Sequence, residues 1–285
     1  METAPAPLAA LVQMTSGIDP DVNLETIDRA LGETAERGAT MAFLPEMSLL
    51  LDRDRQRSAA HITREADSPW PAALQAMARR HGLWLHSGSM PLLADDGERR
   101  VNRSHVIAAD GSICARYDKI HMFDVTLPSG ENWTESAAYA GGSAIEVVDT
   151  PLGRLGLSIC YDLRFPELYR ALVHRGAEII AIPAAFTVST GEAHWHVLLR
   201  ARAIETGCHI LAAAQGGTHA DGRATFGHSL AIDPWGVVMA EAETGPNAND
   251  RDARLAIAPI AGEARLRARQ AIPLARSRGV RAADL

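Results

Sequence analysis

The sequence predicts a layered α/β protein built on mixed rather than purely parallel sheet. Two observations carry this expectation. Strand-like apolar runs alternate with helical stretches along the whole chain, a pattern that lays helices over a sheet. Several of those runs are also joined in pairs by short turns such as Asp110-Gly111, and hairpins bring in antiparallel strands. With 285 residues, 47% of them hydrophobic, the chain can bury a large core. The absence of a long Ser/Gly/Pro linker favours one domain over residues 1–285, with a core of about 8–260 and a C-terminal helix and tail over 261–285.

The elements follow in order. Leu8 to Met14 reads as a first strand. Asp19-Pro20 opens an amphipathic helix to about Arg37, and Gly38 ends it. Met41 to Leu44 is continuously apolar, as an interior strand covered on both faces should be. Arg53 to Glu65 is polar and reads as a surface excursion. Ser68-Pro69 starts a helix that Gly82 stops. Trp84 to Gly88 and Val101 to Ala108 are strand-like, with Asp95-Asp96-Gly97 as the turn between, and Ile113 to Tyr117 returns after Asp110-Gly111.

Phe123 to Gly142 has little periodicity. A loop this long inside a compact domain is usually functional, and Trp133, Glu135 and Tyr139 suit a wall or lid over a pocket. Ala144 to Asp149 and Leu155 to Ile159 form a hairpin. A helix runs from Pro166 to near Gly176, and Ile179 to Ile182 is another strand. Gly191 to Thr206 is a helix with Trp195, Leu198, Leu199 and Ala203 on its apolar face and Arg200, Arg202 and Glu205 elsewhere. Strands follow at 209–214, 229–233, 237–240 and 255–260, then a helix to about Arg269 and an Arg-rich tail.

Composition narrows the function classes. The net charge of −7 is mildly acidic and the basic residues are dispersed, so neither nucleic acid nor an anionic membrane is an expected partner. Three unpaired cysteines, Cys114, Cys160 and Cys208, fit a reducing compartment rather than a disulfide framework. Cys114 and Cys208 read as core. No signal-peptide order or membrane-length apolar run is present, which points to a cytoplasmic protein. No CxxC or HExxH spacing offers a metal site, and His194, His196 and His209 read as packing or hydrogen-bonding histidines.

The chemistry centres on Ile159-Cys160-Tyr161-Asp162-Leu163-Arg164-Phe165-Pro166-Glu167, a strand that runs into a cysteine and then a polar turn. A reactive side chain at such a turn is held rigidly yet open to a pocket. A buried structural cysteine would read the same way. Glu46 and Lys119 also stand just past strands, although alone each could be a cap, a salt bridge or a surface charge. Together they supply what a thiol nucleophile requires. Glu46 can move its proton, and Lys119 with the backbone N–H of Tyr161 can hold an oxyanion.

The segments Leu44-Pro45-Glu46, Tyr117-Asp118-Lys119-Ile120-His121 and Ile159 to Glu167 resemble, in order, the three signatures of the nitrilase superfamily of carbon–nitrogen hydrolases. The resemblance extends from Leu8 to about Pro273. It implies an α-β-β-α sandwich, a Glu46-Lys119-Cys160 triad, thioester chemistry with no metal or cofactor, and homodimers or larger assemblies.

Ala184 to Trp195, Leu199 to Thr206, Ala212 to Gln215 and Gly227-His228-Ser229 are similar to the Nit branch, whose members hydrolyse ω-amides or deaminated glutathione. Arg202-Ala203-Ile204-Glu205 and Ala214-Gln215 are closer to the latter. The resemblance adds Glu135 as a fourth catalytic residue. It implies that Arg164 anchors a substrate carboxylate, with Phe186 and Thr190 lining the same pocket. A structural ion pair of Arg164 with Asp162 or Glu167 is the alternative.

The implied substrate is a small carboxylate-bearing amide, deaminated glutathione foremost, cleaved to 2-oxoglutarate and cysteinylglycine. ω-Amidase or N-carbamoyl-amino-acid amidohydrolase activity, or a non-catalytic partner-binding role, are the competing readings. His196 and the loop Thr126 to Asn132 depart from the family's usual pattern.

Overall fold

Each half of the chain builds a sheet with parallel strands at its centre and antiparallel strands around them. The computed structural model describes residues 5–126, 130, 132–242 and 253–273. In the first half, β1 (Leu8–Gln13), β2 (Met41–Phe43) and β3 (Trp84–His86) run parallel. β5 (Arg100–Ile107) pairs antiparallel with β3, with β4 (Met90–Leu93) and with β6 (Ile113–Asp118). A small hairpin of β7 (Asp124–Thr126) and β8 (Asn132–Thr134) leads into the second half.

There β9 (Val147–Thr150) pairs antiparallel with β10 (Gly153–Leu157), which runs parallel to β11 (Ile179–Ala181) and, beyond it, β12 (His209–Ala212). The hairpin β13 (Gly216–Thr218) and β14 (Ala224–Phe226) precedes β15 (Ser229–Ile232) and β16 (Val238–Ala242), which complete the sheet. β17 (Arg254–Pro259) returns to the first sheet, antiparallel to β1.

The layers follow from the two-residue period of a strand. In β2, Met41 and Phe43 enter the core between the sheets with Leu155, Leu157 and Ile180. The alternate residues Ala42 and Leu44 meet Ile27 and Leu31 of α1 (Pro20–Glu36) and Leu74 and Met77 of α3 (Pro69–His81). Both faces of the strand are therefore dry, which is why its sequence is continuously apolar. The second sheet is covered by α4 (Pro166–His174) and α5 (Val188–Thr206) through Leu168, Leu172, Trp195 and Leu199. The result is the expected α-β-β-α sandwich. Each fully buried Leu, Ile or Phe contributes about 1.5–3 kcal/mol to its stability.

Helix boundaries follow local chemistry. The Asp19 side chain accepts the Asp21 N–H and Pro20 occupies the first turn of α1, while Ser68 caps α3 and Gly82, at φ 64°, ends it.

Several expectations are corrected. Residues 53–65 are mostly exposed, as a surface excursion should be, but they are not structureless. They carry α2 (Arg55–Ala59) and line the principal cavity with Arg53, Arg55, Ser58 and Ile62. The antiparallel partner across Asp95-Asp96-Gly97 is β4, a strand that the breaking Pro91 conceals. The β13–β14 hairpin is likewise hidden, by its glycines. Helix α5 begins at Val188 because Thr187 caps it. Arg202 lies buried on that helix although it is off the apolar face, and Cys114, expected in the core, is exposed on β6. The Arg-rich tail from residue 274 lies outside the described residues, as does part of the 126–132 loop; α6 (Gly262–Ala271) precedes the tail.

Candidate active site

Three chain turns bring Glu46, Lys119 and Cys160 together. Glu46 follows β2 after Leu44-Pro45, and its backbone is pinned from both sides. The Gly88 backbone passes so close that a Cβ there would lie 1.9 Å from the Pro45 carbonyl oxygen; Gly88 also has φ +66°, so only glycine fits. From the other side Gln215 Nε2 donates to the Glu46 carbonyl at 2.9 Å and to Ser16 Oγ at 2.6 Å. The buried Glu46 carboxylate accepts from Asn102 Nδ2 at 2.9 Å, Lys119 Nζ at 3.1 Å and the Ala185 N–H at 3.0 Å.

Lys119 continues directly from β6, and only 2% of it is exposed. Its ammonium also donates to both oxygens of Glu135, at 2.8 and 3.0 Å. Burial works against the charge, but Glu135 and Glu46 outweigh it and raise the Lys119 pKa well above that of an ordinary lysine. Glu135 is fixed in turn by the Phe123 N–H at 2.7 Å.

Cys160 begins a single helical turn, Cys160–Arg164, and its φ of 48° places a non-glycine residue in the left-handed region. Its N–H donates to the Pro183 carbonyl at 2.9 Å. Asp162, fully buried, holds the turn by accepting from Tyr117 Oη, the Ile159 N–H, and both the N–H and Nδ1 of His121. Arg202 closes the turn's far end with two bonds to the Leu163 carbonyl, at 3.0 and 2.8 Å. Burial and the neighbouring Glu46 push the Cys160 thiol well above its ordinary pKa, although Lys119 opposes them. The resting sulfur is therefore a neutral thiol.

Every site residue expected from the sequence lines one cavity of about 480 Å³: Glu46, Lys119, Glu135, Cys160, Tyr161, Arg164, Phe186 and Thr190. The Arg164 guanidinium lies 5.4 Å over the Phe186 ring and 5.9 Å over that of Tyr161, with Nη1 3.3 Å from His194 Nδ1. The structural alternative for Arg164 does not hold. Asp162 is satisfied by Tyr117, Ile159 and His121, and among the described residues Arg164 ion-pairs with neither it nor Glu167. Thr190 shares its hydroxyl with Thr187 at 2.8 Å, at the start of α5.

Sequence reasoning missed Asn102, which is fully buried and touches Glu46. The strand Arg100–Ile107 mixes Arg, Asn, Ser and His with its apolar residues, so Asn102 carried no local signal that set it apart. His196 serves outside the cavity, where Glu241 Oε1 meets His196 Nε2 at 3.0 Å and His228 Nδ1 at 2.6 Å.

The family model "Carbon-nitrogen hydrolase" matches residues 8–263. The chain belongs to the carbon–nitrogen hydrolase family. One relative within reach of this family is a protein of Yersinia enterocolitica named deaminated glutathione amidase, 44% identical over 234 residues and covering 81% of each chain. The crystal structure of the C. elegans NitFhit protein superposes with a TM-score of 0.84 at 35% identity, over 96% of this chain. This chain spans 65% of that protein's length. The structure of Saccharomyces cerevisiae Nit3, a member of branch 10 of the nitrilase superfamily, gives a TM-score of 0.84 at 26% identity, over 97% of each chain. The carbon–nitrogen hydrolase fold and hydrolysis of a carbon–nitrogen bond thus belong to this chain.

Proposed function

We propose that this carbon–nitrogen hydrolase is an amidase that opens a carboxylate-bearing linear amide through a thioester on Cys160. Its proposed substrate is deaminated glutathione, and its products are 2-oxoglutarate and cysteinylglycine. The observation that carries the reading is the Lys119 ammonium, buried between Glu46 and Glu135 in the cavity that Cys160 lines.

A neutral thiol must lose its proton as it attacks. Glu46 takes that proton while the sulfur adds to the amide carbonyl. The oxyanion is met by Lys119 Nζ and the Tyr161 N–H; losing one such donor costs about 3–4 kcal/mol of barrier. The C–N bond then breaks, Glu46 protonates the departing nitrogen, and cysteinylglycine leaves. Water enters, gives its proton to Glu46 and attacks the thioester, releasing 2-oxoglutarate and returning the proton to Cys160. Glu135 keeps Lys119 aimed throughout, and Arg164 holds the acyl-side carboxylate, since a guanidinium fork suits a carboxylate. The name of the Yersinia enterocolitica relative supports the choice of substrate.

The reaction is read as cofactor-free and cytoplasmic, in keeping with three free cysteines. A homodimer is the proposed assembly, supported by the exposed Val197, Ile204, Trp235 and Val237; sedimentation velocity checks it. The functional test is a side-by-side assay of deaminated glutathione, 2-oxoglutaramate and a carbamoyl amino acid, with Cys160→Ala as control. Turnover of the first that vanishes in Cys160→Ala supports the reading. Comparable turnover of the carbamoyl compound would replace it, and inactivity on all three would favour a partner-binding role.

A further inference from the structure

Six cationic side chains line the cavity against three carboxylates, on a chain whose net charge is −7. Two of the six are already committed. Lys119 lies between Glu46 and Glu135, and Arg223 pairs with Asp221 at 2.6 Å. The remaining four, Arg53, Arg55, Arg100 and Arg164, form no ion pair among the described residues. A bidentate fork joins one guanidinium to one carboxylate, so four exceed what a single carboxylate can pair with.

These cations do not form one cluster. Arg164 stands over Tyr161 and Phe186, beside the nucleophile turn. Arg100 belongs to a different wall, at the start of β5. Its Nη1 donates to Ser58 Oγ at 3.2 Å and its Nη2 to the Arg55 carbonyl at 3.0 Å, and its N–H meets the Ala138 carbonyl beside the Glu135 turn. Arg100 is half-buried, so its charge has lost part of its hydration with neutral partners alone in return. Arg55 is exposed at the cavity mouth, at the first position of α2. An anion arriving between them would restore what burial has removed.

We infer that Arg100, with Arg55 at the mouth, binds a second carboxylate, the one on the leaving group of the amide, so that the site selects dianionic amides whose amine product is a short peptide acid. This rests on the amidase reading above, with Arg164 on the acyl side. Deaminated glutathione has that form, because a carboxylate stands on each side of its scissile amide. 2-Oxoglutaramate presents the same acyl group with a single carboxylate and releases ammonia, so it cannot use Arg100 or Arg55.

The test compares kcat/KM for the two substrates in the unmodified protein, Arg100→Gln and Arg55→Ala. The ratio of deaminated glutathione to 2-oxoglutaramate is expected to fall at least tenfold in Arg100→Gln and several-fold in Arg55→Ala, with the change carried by KM. Added salt should narrow the ratio in the unmodified protein. Because Arg55 is exposed and its side chain makes no hydrogen bond or ion pair among the described residues, its variant decides the matter even if Arg100→Gln fails to fold. A ratio unchanged in the folded variants overturns the leaving-group site while the amidase reading stands. Inactivity of the unmodified protein on both substrates overturns both.

Discussion

Tyr117 Oη donates a 2.7 Å hydrogen bond to Asp162 Oδ2, and that bond ties the strand that delivers Lys119 to the turn that presents Cys160. Burial and Asp162 raise the Tyr117 pKa well above its ordinary value, so the phenol keeps its proton and remains a donor. Tyr117→Phe leaves Asp162 three donors and is expected to cost about 1–2 kcal/mol in urea unfolding. It should also lower kcat several-fold with little change in KM, because the two reacting groups lose their common brace. Unaltered kcat in a protein of reduced stability would show that the bond supports the fold alone.

Glu135 holds Lys119 with both carboxylate oxygens, at 2.8 and 3.0 Å. Glu135→Gln keeps the shape and one acceptor while removing the charge. Activity is expected to fall by about 10²- to 10³-fold, the scale of a lost electrostatic contact to the transition state. The thermal midpoint should move little, since Glu46 still accepts from the same ammonium. Single-turnover kinetics with a chromogenic amide would show whether acylation is the slowed step.

The left-handed backbone of Cys160 makes an inverted ranking of variants. Where φ is negative, as in helices and strands, alanine is more stable than glycine, because glycine has more freedom to lose. At φ 48° the Cβ is the burden, at roughly 1–2 kcal/mol. Cys160→Gly is therefore expected to unfold about 1 kcal/mol later than Cys160→Ala, with both inactive. Equal stabilities would mean that the turn relaxes once the thiol is gone.

Two buried histidines set the acid limit of stability. Among the described residues His86 Nε2 and His209 Nε2 have no hydrogen-bond partner, and both residues are almost fully enclosed. Burial lowers His86 to about 3, with His105 nearby adding to the effect, and lowers His209 to about 4 although Asp233 partly opposes it. The unfolded chain takes up these protons near 6.5 while the folded chain refuses them. Stability is thus complete above about pH 6.5 and drains as pH falls toward 4, at up to about 1.4 kcal/mol per pH unit for each histidine. Urea titrations at several pH values should give a shallower slope for His209→Gln than for the unmodified protein.

Much of this was legible in the sequence because the triad sits at strand ends, where local signals are strong. A continuously apolar run announces a strand buried on both faces, so a carboxylate directly after it is conspicuous, as at Met41–Glu46, and a cysteine followed by a polar turn stands out in the same way after Leu155–Ile159. The supports were harder to see. Asn102, Asp162, Arg202 and Gln215 act through contacts to residues distant in sequence, and no local period encodes a partner. Nothing in the local sequence sets Arg202 apart from Arg200 and Glu205, yet its guanidinium bonds the Leu163 carbonyl and lies 5.1 Å over the Tyr169 ring. The strand beginning at Met90 was obscured by a proline that an edge position tolerates.

The elevated pKa of Cys160 reaches beyond the catalytic cycle. Thiolates, not thiols, attack disulfides and peroxides. An empty pocket that keeps its sulfur protonated is a poor target for oxidants and for glutathione disulfide, whatever the pool of small thiols around it. In the proposed mechanism the thiol gives up its proton to Glu46 only with a carbonyl docked beside Lys119, which would build selectivity among electrophiles into the resting protonation state.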